Sequence, residues 1–117
     1  MIILGVETSC DETAAAVVKL DSKTNEILVL SNVIFSQIAI HQKFGGVIPE
    51  IAAREHVLTI IPVIHEALKK AKISPKQLDY LAVTKGPGLI TSLLAGTETI
   101  RTLAYAWQKS VIEVNHI

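Results

Sequence analysis

Apolar and polar positions along this chain divide it into seven elements. Ile2 to Val6 is a short run of Ile, Leu and Val around one glycine, the make-up of a buried strand. A polar turn, Thr8-Ser9-Cys10-Asp11-Glu12-Thr13, separates it from a second apolar run, Ala14 to Leu20. The turn-forming cluster Asp21-Ser22-Lys23-Thr24-Asn25-Glu26 follows, and Ile27 to Phe35 reads as a third strand. The first 36 residues therefore predict a three-strand antiparallel meander. Gln37 to Gly46 reads as irregular. Pro49 suits the first turn of a helix, where its missing N–H costs nothing. Beyond it Ile51, Leu58, Ile61, Ile64, Leu68 and Ala71 recur at spacings of three, four and seven, which predicts one apolar helical face. Pro62 lies inside that pattern and predicts a kink or a break. Ser74-Pro75 caps a short turn, Tyr80 to Thr84 reads as a strand, and Gly86-Pro87-Gly88 as a sharp turn. Leu89 to Trp107 predicts a second helix and Val111 to Val114 a last strand.

The order βββ-α-β-α-β predicts an α/β fold, a mixed sheet with helices packed on it. It matches the ribonuclease H-like half-domain of the actin and sugar-kinase ATPases. The last strand runs straight into Asn115-His116-Ile117, so the chain reads as a truncation and not a natural end.

Composition narrows the class further. Half of the residues are apolar, and eleven acidic side chains balance eleven basic ones. Disorder is excluded, because it needs low hydrophobicity and high net charge. Six Gly, four Pro and one Cys exclude a collagen-like chain and a disulfide scaffold. Zero net charge argues against nucleic-acid binding by bulk electrostatics alone. No basic leader precedes the first apolar run, and the span Leu89 to Trp107 carries Glu98, Arg101 and several hydroxyls. The expectation is a soluble cytoplasmic chain without a membrane contact.

Chemistry concentrates in a few places. The hairpin Glu7-Thr8-Ser9-Cys10-Asp11-Glu12-Thr13 packs three hydroxyls and three carboxylates into seven residues. Such a turn can cradle phosphate oxygens, hold magnesium or orient water, and it is equally the make-up of a solvated hairpin tip. Lys85-Gly86-Pro87-Gly88 joins a strand end to a helix start, where open sheets bind ligands and helix N-termini favour anions. Its glycine spacing is neither a Walker A loop nor a dinucleotide fingerprint. His56 and His65, on the first helix, read as surface or packing histidines. Cys10 beside Asp11 and Glu12 reads as a small packed residue, and Trp107 as core.

Taken in order, the segments Glu7-Thr8-Ser9-Cys10-Asp11-Glu12-Thr13-Ala14, His41 to His56 with Gly45-Gly46-Val47-Ile48-Pro49-Glu50, Gly86-Pro87-Gly88-Leu89 and Asn115-His116 are far more specific than any one alone. Over its whole length the chain resembles the N-terminal part of the tRNA adenosine threonylcarbamoyltransferase family. It departs from the common family pattern at Thr91 and at Thr97-Glu98-Thr99, where small residues are usual.

The resemblance implies two actin-like ATPase domains around a cleft, with residues 1–117 the truncated N-terminal subdomain and the second domain absent. It implies transfer of threonylcarbamoyl from threonylcarbamoyl-AMP to the adenosine beside the anticodon of tRNAs reading A-starting codons. It further implies a non-catalytic paralogous subunit and a small ATPase as partners, an iron or zinc ion, and an ATP-type nucleotide with magnesium. Ser9, Asp11 and Glu12 match the hairpin that lines the cleft, as catalytic residues. Gly86, Pro87 and Gly88 match a substrate-facing turn. His116 matches the first histidine of a metal-binding HxxxH motif whose second member would fall four positions on. The two helices match the surface that receives the paralogue. Their apolar excess, with Leu93, Leu94, Ile100, Leu103, Ala104 and Trp107 on the second, predicts association of this chain, as a homodimer or with that subunit. The fragment alone is expected to be inactive. The competing readings are the non-catalytic paralogue, a sugar or acetate kinase of the same superfamily, and the older metalloprotease label of the family.

Overall fold

The computed structural model describes residues 1–117. Three strands open the chain, β1 (Ile2–Glu7), β2 (Glu12–Leu20) and β3 (Ile27–Ser36), and pair as an antiparallel meander. A one-turn helix α1 (Ile38–Gln42) leads into the long helix α2 (Pro49–Ala71). A 3₁₀ turn at Pro75–Gln77 precedes β4 (Tyr80–Gly86), α3 (Ile90–Trp107) and β5 (Ser110–Asn115). The sheet order is β3-β2-β1-β4-β5, with β4 parallel to β1 and β5 parallel to β4.

Period-two burial in the strands decides where the helices go. Leu4 and Val6 of β1, Thr13, Ala15 and Val17 of β2, and Leu81 and Val83 of β4 are buried on one face. Both long helices cover that face, with α2 over β2 and β3, and α3 over β4, β1 and β5. Ile60, Val63, Ile64 and Ala67 of α2, Leu78 ahead of β4, and Ile100 and Ala104 of α3 complete a single core of thirteen buried apolar residues. The opposite face carries Gly5, Ala14, Ala16 and Ala82 around a shallow apolar depression, with no helix over it.

The structure corrects the sequence reading at several points. Gln37 to Gly46 is not wholly irregular, since it holds α1. Pro62 does not break α2, which runs unbroken through it for 23 residues. The buried stripe of α2 is Ala52, His56, Ile60, Val63, Ile64 and Ala67, whereas Leu58 and Ile61 are more than half exposed. This helix is apolar around much of its girth, and the face bearing small Ala52 and Ala67 is the one that lies closely on the strands. Leu93 is buried, while Leu94 is half exposed. Trp107 lies at the margin of the core, half-buried beside a groove that also takes in Ile73, Pro75 and Leu103. Cys10 is exposed, not packed.

Candidate functional site

The C-terminal ends of the parallel strands β1, β4 and β5 lie side by side at one end of the sheet, where open α/β sheets bind ligands. The β1–β2 hairpin folds over this end. Its first half is pinned against α3. The Thr8 hydroxyl donates to the Ser92 carbonyl at 2.7 Å, and the Leu89 amide donates to the Ser9 carbonyl at 2.8 Å. The approach at Gly88 is very close. A Cβ added there would stand 2.6 Å from the Ser9 carbonyl oxygen and 2.8 Å from Ser9 Cβ, so only glycine fits.

Glu7 locks Ser9 from the other side. Its Oε1 accepts from the Ser9 amide at 2.7 Å and its Oε2 accepts from the Ser9 hydroxyl at 2.8 Å. The same Oε2 lies 3.1 Å from Nε2 of His116, whose amide donates to the Gly86 carbonyl at 2.6 Å. Three segments far apart in the chain thus meet, bringing Ser9, Gly86, Gly88 and His116 to one end of the sheet. Ser9 itself is 5% exposed and committed to Glu7. Glu7 is the member that the sequence reading left among the motif residues without a role of its own.

Asp11 and Glu12 stand apart from this cluster. Their side chains form no hydrogen bond or ion pair within the chain; Asp11 is half-buried and Glu12 exposed. Asp11 borders a shallow depression with Ile38, His41, Gly45, Gly46 and Val47. Pro87, joined to Gly86 by a cis peptide bond, is exposed beside α3, whose N-terminus has no side-chain cap. The first three amides of such a helix have no intrahelical acceptor and favour an anion. Ser92, in this first turn, is fully buried and its hydroxyl has no partner.

Cys10 is a poor nucleophile. Partial desolvation of its sulfur comes first, then the charge of Asp11 and a smaller effect of Glu7; against the opposing hydrogen bond from the Asp11 backbone they push the thiol above its ordinary range and disfavour the thiolate. No three His, Cys, Asp or Glu side chains are arranged so that they could hold a metal ion. His116 and Glu7 are at most two donors, and a stable transition-metal site takes three or four. These residues alone do not fit a metal centre.

Beneath the hairpin lies a buried polar layer that the sequence did not reveal. His56, Thr13, Gln37 and His41 are each 3% exposed or less. The signal in the sequence was only that His41 and His56 bracket the Gly-Gly-Val-Ile-Pro-Glu segment.

Comparison with known folds agrees with this geometry. YeaZ from Pseudomonas aeruginosa superposes with a TM-score of 0.70 at 21% identity, over 98% of this chain and 45% of that one. T. thermophilus RuvC superposes with a TM-score of 0.59 at 10% identity, over 98% of this chain and 66% of that one. The fold is ribonuclease H-like, and the hairpin and the β4–α3 turn meet at one end of its sheet.

The sequence goes further. The family model TsaD, tRNA N6-adenosine threonylcarbamoyltransferase, matches residues 28–117. All 117 residues align at 56% identity with a protein of that name from Thermomicrobium roseum and at 50% with one from Onion yellows phytoplasma, spanning 31% and 48% of those proteins. The chain belongs to the tRNA N6-adenosine threonylcarbamoyltransferase family, and it spans about a third to a half of the length of these curated relatives.

Proposed function

We propose that this chain is the N-terminal domain of a tRNA-modifying threonylcarbamoyltransferase and forms one wall of its transfer site. The observation that carries the reading is the meeting of Ser9, Gly86 to Gly88 and His116 at one end of the sheet, in a chain of this family.

In the reaction, the exocyclic amine of a tRNA adenosine attacks the carbonyl carbon of threonylcarbamoyl-AMP. A carbon–nitrogen bond forms, the bond from that carbon to the AMP phosphate oxygen breaks, and AMP leaves. The attacking nitrogen loses one proton. Asp11 and Glu12 suit that amine, because both carboxylates are free of internal partners and can orient it and accept its proton. The uncapped first turn of α3 beside Gly88 suits the phosphate of the leaving group. Ser9 acts through structure, since Glu7 takes both its amide and its hydroxyl and so fixes the start of the turn. His116 would be one ligand of an iron or zinc ion completed by residues outside this chain, and no step above uses that ion. The length that the relatives add supplies the opposite wall, so activity is expected of a protein that includes it. The paralogous subunit and the small ATPase are the partners in this reading.

The test is threonylcarbamoyladenosine formation on tRNA by the protein carrying this chain, followed by nucleoside mass spectrometry. Asp11→Ala should lower the transfer rate by about 10²–10⁴-fold, the range for a lost general acid–base group. Its melting temperature should stay within a degree or two, because the side chain makes no contact that folding needs. An active variant, or ATP-dependent sugar phosphorylation in place of transfer, would overturn the reading.

A further inference from the structure

Asp11 and Glu12 point out of the fold, but the backbone that carries them is held from beneath by one buried imidazole. His56, 0% exposed on α2, spends both ring nitrogens on the hairpin. Its Nε2 lies 2.7 Å from the Cys10 carbonyl oxygen, and its Nδ1 lies 2.7 Å from the Thr13 hydroxyl. A carbonyl only accepts, so Nε2 carries a proton, and in the neutral ring Nδ1 accepts from the Thr13 hydroxyl. The Thr59 hydroxyl lies 2.9 Å from that of Thr13 but gives its own proton to the Glu55 carbonyl at 2.7 Å, which leaves the Thr13 proton for Nδ1 of the neutral ring. Cys10 and Thr13 are the residues immediately flanking Asp11 and Glu12. A rigid ring therefore spans the two ends of the carboxylate turn and sets their separation. Gln37 adds a third hold, its amide donating to the Asp11 carbonyl at 2.9 Å.

We propose that His56 is a positioning residue for the transfer site: by fixing the span from Cys10 to Thr13 it sets the direction of the Asp11 and Glu12 carboxylates. A histidine that only filled the space under the sheet would not need both nitrogens on the same turn. For its effect on transfer the proposal rests on the function proposed above; for its effect on the hairpin it rests on the geometry alone.

The two are separated by testing Thr13→Val, which removes the donor to Nδ1 at nearly constant shape, alongside Thr13→Ser, which keeps it. His56→Gln is the companion variant. In ¹⁵N-labelled protein, Thr13→Val and His56→Gln should shift and broaden the backbone amide resonances of Asp11 and Glu12 while those of β4 and α3 stay in place. Thr13→Ser should keep the original positions. In the transfer assay, kcat should fall on the order of 10²-fold in Thr13→Val, as for a displaced reacting group, with KM for tRNA unchanged and recovery in Thr13→Ser. Asp11 and Glu12 amides that do not move in a folded Thr13→Val protein overturn the proposal. So does a serine variant that keeps the hydroxyl and fails to recover kcat. If the parent protein performs no transfer, the function reading fails and the amide shifts still decide the role of His56.

Discussion

At the scale of single residues, the polar groups of this domain sort by whether their partners lie inside or outside the chain. Ser9 and Glu7 satisfy each other, whereas Asp11 and Glu12 have no internal partner. His56 belongs to the first kind, and its charge state is coupled to folding. Burial is the main cause that lowers its pKa, and nearby His41 lowers it further. The Cys10 carbonyl, Glu7 and Asp11 pull the other way without cancelling it. In the unfolded chain the ring titrates near the ordinary value of about 6.5. Between that value and the lowered native one the unfolded state binds more protons. Stability from the neutral ring is thus full above about pH 6.5 and is lost as the pH falls through the native pKa. Urea midpoints measured from pH 8 to pH 5 should fall more steeply below about 6.5 for the parent than for His56→Gln. Parallel curves would show that some other group drives the acid loss.

At the scale of elements, α2 illustrates how packing overrides local preference. Pro62 has no N–H to donate to the Leu58 carbonyl, and its ring crowds the preceding turn. The helix continues because it is anchored to the core on both sides, by Ala52, His56 and Ile60 before the proline and by Val63, Ile64 and Ala67 after it. Pro62 itself is exposed, so its replacement should open no cavity. Pro62→Ala is expected to raise stability by about 1–3 kcal/mol, bounded by the cost of proline in a helix interior. A urea midpoint that falls would mean that a bend at Pro62 is needed to fit α2 to the sheet. The same helix misled the periodicity. Of the predicted stripe, Ile64 is buried and Leu68 and Ala71 pack on the core, yet Leu58 and Ile61 face outward because the buried stripe is rotated toward Ala52, His56, Ile60 and Ala67.

At the scale of the molecule, one sheet face is covered by two helices, and apolar side chains remain on the outside of both. Val57, Leu58 and Ile61 of α2 are 65%, 60% and 51% exposed, and Leu94 of α3 is 50% exposed. Val57 and Ile61 line a shallow groove with Leu103 between the helices. Exposed apolar side chains on two neighbouring helices suit an interface, and a twofold pairing of helices is its simplest closed form. The 12.7 kDa chain is expected to sediment as a dimer at high micromolar concentration, and Ile61→Glu should return it to a monomer. Leu93 is unsuited to that test because it is buried inside the fold. A monomeric parent, or dissociation by Ile112→Glu on the bare sheet face instead, defeats the helical interface. No helix of the chain is long and apolar enough to cross a membrane.

Strand runs, the polar hairpin and the Gly-Pro-Gly turn were legible in the sequence because each is set by neighbours along the chain. Alternating burial needs only the period of a strand, and a turn needs residues that tolerate its backbone. The family was legible for a different reason: the order of the motifs is itself a pattern. The contacts of the site were not legible. That Glu7 joins Ser9 to His116, 109 positions away from it, depends on β1, β4 and β5 lying parallel, which is a property of strand order. In the sequence His41 stood in a stretch read as irregular and His56 on the predicted first helix, each a lone histidine. Only the packing of α2 on β2 brought His56 beneath Cys10 and Thr13 and gave it two partners. A side chain's chemistry is written in its residue type, but the donors and acceptors that fix its proton come from elements that meet only in the folded chain.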